Sequence, residues 1–94
     1  MLTVVARCVV KKEEIQNFKD YTVELIAESR KEIGNISYAL YQDNSTPQIL
    51  TFIEEWQDEA ALEEHRLTKH FVAILPKLRL LQEVETEVNL YTKC

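Results

Sequence analysis

Glu54, Trp56, His65 and His70 fall inside the twenty residues from Phe52 to Phe71, and they are the side chains of this sequence best equipped for chemistry. The stretch holds the only Trp and both His of the chain. Glu54 and Trp56 are two apart, so on a strand they share the face of Leu50 and Phe52. A carboxylate on an apolar face is costly unless it is paired or held neutral. Glu54 therefore has two readings: a structural partner such as Arg7 or a backbone amide, or a carboxyl with a perturbed pKa in an active site. His65 and His70, taken singly, each read either as a partly exposed helix residue making a structural hydrogen bond or as a functional group. On one unbroken helix, His65 and His70 would lie about 140° apart, too far round to share a metal. His65-Arg66-Leu67-Thr68-Lys69 also lacks the H-E-x-x-H pattern, so no metal is expected. A helix break near Thr68 would instead let both His flank one pocket mouth.

Other chemistries have less support. Ser29, Ser37 and Ser45 lack a nucleophile elbow. Cys8 sits in an apolar run and Cys94 is the last residue, so both read as unpaired thiols without a metal or disulfide pattern. A single Gly leaves no phosphate-cradling loop, and no nucleotide, flavin or NAD cofactor is expected. The aromatic residues Tyr38, Phe52 and Phe71 read as core, or as the lining of a small apolar pocket for a planar aromatic substrate.

The 94 residues make one domain, 1–94, whose core must be thin. The net charge of −5, with no basic stripe, argues against nucleic acid as a partner. No apolar run reaches the ~20 residues that span a bilayer. Met1-Leu2-Thr3-Val4-Val5 lacks a basic n-region and cleavage site, so the expected location is cytoplasmic.

Positioning those residues requires a frame. Leu2 to Val10 is β-branched and apolar on both faces, which predicts a strand covered on both sides. A helix follows from Lys11, its buried stripe running through Ile15, Phe18, Thr22, Leu25, Ile26, Ser29 and Ile33. Gly34 stands where a helix ends on a residue at positive φ. Asn35–Asp43 and Gln48–Trp56 alternate as strands of a hairpin, around turn chemistry at Asp43-Asn44-Ser45-Thr46-Pro47. Asp58 caps a helix over Glu59–His65, and Thr68 caps a second segment from Lys69 to about Leu81, which Pro76 would kink or shorten. Glu83–Thr92 alternates again, predicting a last strand with one buried and one acidic face. The order is βαββαβ: an α+β, ferredoxin-like domain with a four-stranded antiparallel sheet. Helices cover only one face of such a sheet, and the apolar residues on its other face predict a homodimer.

The quoted stretch also resembles a known family. Ile53-Glu54-Glu55-Trp56, then Leu62-x-x-His65, then Thr68-x-His70-Phe71, is similar to the signature of the antibiotic-biosynthesis monooxygenases. Gly34 to Asp43 resembles that family's second strand, and Leu2 to Ala6 its first. The resemblance implies a dimeric α+β barrel, two ferredoxin-like monomers packed sheet on sheet, with a pocket between sheet and helices in each. It implies a monooxygenase oxidising a small quinol or phenol with O₂, using no metal or flavin. His65, Trp56 and Glu54 would then be catalytic: His65 as base, Trp56 as an N–H donor, and Glu54 bonded to Trp56 or orienting His65. His70, Phe71, Phe52 and Tyr38 would bind substrate. The haem-degrading branch is not matched, since Ala6-Arg7-Cys8 lacks its Asn and Phe71 to Leu81 lacks its His. Two other readings stay open: an isomerase of a small signalling or carbonyl metabolite, favoured by Arg7, Arg66 or Lys69 near the pocket, and a non-catalytic ligand-binding or stress protein.

Overall fold

A computed structural model describes all 94 residues, Met1 to Cys94. In chain order it has β1 (Leu2–Val9), a 3₁₀ turn (Lys12–Glu14), α1 (Ile15–Ser29), β2 (Asn35–Gln42), β3 (Ile49–Trp56), α2 (Glu59–Arg66), α3 (Lys69–Leu80) and β4 (Glu87–Thr92). The strands form one antiparallel sheet in the order β2-β3-β1-β4, so β1 and β3 are central. This is the expected ferredoxin-like α+β arrangement, with the second helical region in two pieces.

Period-two alternation sets the inner face. Leu2, Val4, Ala6 and Cys8 of β1 and Leu50, Phe52, Glu54 and Trp56 of β3 are all buried under the helices. Phe18, Thr22, Leu25 and Ser29 of α1 bury against them, as their i, i+3, i+4 spacing dictates. Ile74 and Leu78 close the core from α3. Each large apolar side chain buried this way contributes roughly 1.5–3 kcal/mol. The opposite face of β1, Thr3, Val5, Arg7 and Val9, stays half-buried to exposed within the single chain.

Five expectations change. Helix α1 ends at Ser29, so Ile33 leaves the stripe and is 98% exposed. No residue has positive φ. Gly34 is required for a different reason: a Cβ there would collide with the Cβ of Ala61, because α2 lies directly on the start of β2. Strand alternation puts Ile36 on the face of Tyr38 and Leu40, but a register irregularity between Asn35 and Ser37 turns it out of the inner face. Pro76 does not shorten α3, which runs through to Leu80; burial of Ile74 and Leu78 on either side outweighs the missing backbone donor. Last, β4 starts at Glu87, not Glu83, and every one of its residues is exposed. Val88 and Leu90 do pair with Ala6 and Val4 on the inner side, but no helix lies over them at this edge.

Candidate functional site

The uncovered end of the helical layer is a cavity of about 1010 Å³. Its floor is sheet, with Val4, Ala6, Phe52, Glu54 and Tyr38; its roof includes His65, Phe71, Leu75 and Leu78; Arg66, Arg79 and the Glu83–Thr86 segment ring the mouth. Cross-strand register explains the floor. Glu54 sits between Val4 of β1 and Tyr38 of β2, so a carboxyl interrupts an apolar row.

Glu54 does not pair with Arg7, which points from the other face of the sheet. Its partner is Trp56, whose indole Nε1–H donates to Oε1 of Glu54 at 2.9 Å. That i, i+2 bond is made possible by both side chains standing on one face of β3. Burial pushes the Glu54 carboxyl up to about 7, against the opposing pull of the Trp56 hydrogen bond and the Arg66 charge. Near neutral pH Glu54 is thus poised between acid and carboxylate. The Trp56 ring is fully buried and is not part of the cavity wall, and its only N–H is already used.

His65 reaches the roof because α2 ends one residue later. Asp58 starts that helix by accepting from Ala61 N at 2.9 Å. Thr68 ends the helical run: its hydroxyl donates to the His65 carbonyl at 2.7 Å and accepts from Phe71 N at 3.3 Å, which caps α3 in a new direction. Of the two geometries open for the His pair, the structure has the broken helix. The two ring centroids are 6.0 Å apart.

Both imidazoles converge on Glu32, a residue the sequence reading passed over. Nδ1–H of His65 donates to Glu32 Oε2 at 2.7 Å, and Nε2–H of His70 donates to the same oxygen at 2.8 Å. A tight run of turns after α1 places Glu32: Glu32 N bonds Ser29 O at 3.1 Å and Asn35 N bonds Glu32 O at 3.0 Å. Arg30 Nε ties that run to β2 by donating to Tyr38 O at 2.9 Å. Glu32, not Glu54, orients the His65 ring.

The far nitrogen of His65, Nε2, is buried and has no hydrogen-bond partner. The ring lies tilted at 39° to Trp56, centroids 4.6 Å apart, and meets Phe71 edge-on at 4.9 Å, with Tyr38 at 5.5 Å. Burial lowers the His65 pKa, although Glu32 pulls the other way. With its proton on Nδ1 for Glu32, neutral His65 keeps its lone pair on Nε2. Burial also pushes up the Tyr38 phenol and the Cys8 thiol, so neither ionises near neutral pH.

Of the residues singled out from the sequence, Glu54, His65, Phe71, Phe52 and Tyr38 form cavity wall. Trp56 lies behind it, and His70 lines a separate, smaller recess. Among the cations considered near the pocket, Arg66 is at the mouth, Lys69 lines the recess and Arg7 faces away. Arg79 at the mouth carried no sequence signal. No helix of the chain is long and apolar enough to cross a membrane.

Comparison with known proteins places this arrangement. The family model described as antibiotic biosynthesis monooxygenase matches residues 1–77. YcnE of Bacillus subtilis, provisionally named a monooxygenase, is 31% identical over 88 residues, 94% of this chain and 93% of its own. A crystal structure of a conserved protein from Methanosarcina mazei superposes with a TM-score of 0.97 at 43% identity, over 99% of this chain and 92% of that one. One titled an antibiotic biosynthesis monooxygenase gives 0.96 at 34% identity, over 100% and 99%.

Proposed function

The chain belongs to the antibiotic biosynthesis monooxygenase family, and on that premise we propose that it is a cofactor-independent monooxygenase of a small quinol or phenol. The observation that carries this reading is His65: one ring nitrogen anchored on Glu32, the other buried, unpartnered and holding the lone pair beside an aromatic-lined cavity. A buried polar atom without a partner is costly, and a substrate hydroxyl supplies the partner.

In this mechanism the substrate O–H donates to Nε2 of His65, which takes the proton. The imidazolium that forms is stabilised by the Glu32 carboxylate on its other side. The electron-rich substrate anion then reduces O₂ directly. One oxygen atom bonds to a ring carbon and the other leaves as water, with all four electrons coming from the substrate, so quinol plus O₂ gives hydroxyquinone plus water. Phe52, Tyr38 and Phe71 flank the ring, and Glu54 supplies a proton-accepting or proton-donating group near neutral pH. The volume of about 1010 Å³ accommodates a mono- to polycyclic aromatic. We place the protein in the cytoplasm as a homodimer joined through the uncovered sheet face.

Oxygen uptake with a panel of hydroquinones, comparing the wild type with His65→Ala, tests the reading. Uptake by the wild type that falls at least about tenfold in the variant is expected; no uptake by either protein would sink it. Arg66 and Arg79 at the mouth favour one second reading, an isomerase of a small anionic metabolite. In that case phosphorylated carbonyl compounds, not quinols, would raise the melting temperature.

A further inference from the structure

Glu32 is unusual in its partners. Its carboxylate meets no Lys or Arg, since the neighbouring Lys31 is held by Glu28 at 2.8 Å. It faces only two imidazoles, and the three donor atoms, Glu32 Oε2, His65 Nδ1 and His70 Nε2, lie within 4.8 Å of one another. They come from three separate segments: the turn after α1, the last turn of α2 and the first turn of α3.

The geometry points to a zinc-class divalent-cation site at Glu32, His65 and His70, set behind the cavity wall. Two imidazoles and one carboxylate are a ligand set that zinc accepts, leaving a fourth position for water. Ligands at ~2.0–2.2 Å around a tetrahedral ion are about 3.3 Å apart, so closing the group requires up to about 1.5 Å of side-chain motion. Glu32 and His70 would supply that motion, being 15% and 16% exposed at the edge of the helical layer against 2% for His65. The route in is the recess of about 260 Å³ beside His70, whose walls include Glu24 and Glu28. Lys69 shares that wall and Glu28 is already paired with Lys31, so the recess supplies access while Glu32 supplies the negative charge at the site.

Neither Glu32 nor His70 lines the large cavity, so the ion would not touch a molecule bound there. It would act through His65. An ion on Nδ1 drives the ring proton to Nε2, turning that buried, unpartnered nitrogen from an acceptor into a donor. Resting on the proposed base role of His65, zinc is then an inhibitor: it fixes the ring in the tautomer that cannot take a proton.

The test is titration of the full-length Cys94→Ser protein with zinc chloride against a competing chromogenic chelator, the substitution removing an exposed thiol. One equivalent bound with Kd of about 10 μM or tighter is expected. His70→Ala and Glu32→Gln, each checked for folding by circular dichroism, should each weaken binding about tenfold or more. Nitrogen-15 NMR of His65 should move from an Nδ1–H to an Nε2–H pattern as zinc is added. Binding weaker than about 100 μM, binding unchanged in both variants, or an unmoved His65 spectrum would overturn the proposal. None of these readouts needs a substrate, so failure of the quinol reading leaves the site standing. Where quinol oxidation is observed, zinc should inhibit the wild type and not His70→Ala, each relative to its own zinc-free rate.

Discussion

Oε2 of Glu32 lies 2.7 Å from Nδ1 of His65, and this contact decides which end of the imidazole is basic. A carboxylate can only accept, so the ring must donate from Nδ1, and the lone pair is left on Nε2. A glutamine at position 32 can present its amide N–H₂ to Nδ1 and favour the opposite tautomer. Glu32→Gln is therefore expected to lower kcat for quinol oxidation by about ten- to a thousandfold while changing KM little. Loss of the negative charge also lowers the His65 pKa further, so the acidic limb of the pH–rate profile should move to lower pH. An unchanged kcat and profile would show that Glu32 does not position the base.

Glu54 makes a stability prediction with a definite sign. Its folded pKa is raised to about 7, above the ordinary carboxyl value of 4.5, so the folded state holds a proton the unfolded state has released. Its contribution is fully present below about pH 4.5 and is lost as pH rises through about 7. Glu54→Gln keeps a neutral acceptor for Trp56 at every pH. The variant should match the wild type near pH 5 and exceed it near pH 8, by up to about 3 kcal/mol. His65, with a lowered pKa, contributes stability that is complete above about pH 6.5 and falls as pH drops below it, in both proteins alike. Thermal melts of the two proteins from pH 5 to 8 check this. A constant difference across that range would show that Glu54 is ionised throughout.

These two residues also mark what could be read from the chain. Glu54 and Trp56 were legible because a strand forces i and i+2 onto one face, a local rule. Asp58 and Thr68 were legible as caps for the same reason: a hydroxyl or carboxylate three residues before a free amide. Glu32 was not. Its partners are 33 and 38 residues away, and nothing in the turn after α1 announces them. The break at Thr68 that brings the two His together was legible as an alternative, but not that they would meet on Glu32 and line separate recesses. The edge strand β4 was given a buried face because alternation reports which side a residue stands on, not whether a helix reaches that far.

Gly34 was read correctly as special and for the wrong reason, and the structure replaces that reason with a testable one. The residue has ordinary φ, and what it lacks is room: an added Cβ meets Ala61 Cβ where α2 crosses the start of β2. Gly34→Ala should destabilise by about 1–3 kcal/mol through this overpacking. Ala61→Gly removes the colliding atom and costs about 1 kcal/mol of helix propensity alone. Combined, the two should be less destabilising than their sum, a coupling that urea denaturation of the four proteins measures. Strict additivity would mean that the two positions do not touch.

The outward face of the sheet carries the last prediction. In the single chain Val5, Val9, Ile49 and Ile53 of the two central strands stand on this face without cover, with Tyr41 and Tyr91 on the flanking strands. Val5 and Ile53 are direct cross-strand neighbours, and Ala39 sits opposite Ile53 on its other side, so the patch is continuous across three strands. Only 19 of 94 residues are buried, a thin core for a domain that leaves its central strands half wet. Covering this face with a second copy would bury the row on both sides, while a charge in its middle would have no partner there. Sedimentation velocity at micromolar concentration should give the wild type twice the 11.0 kDa chain mass. Ile53→Glu should shift it to the monomer with its far-UV circular dichroism retained. A monomeric wild type would refute the dimer, and an Ile53→Glu protein that stays dimeric and folded would move the interface to another face.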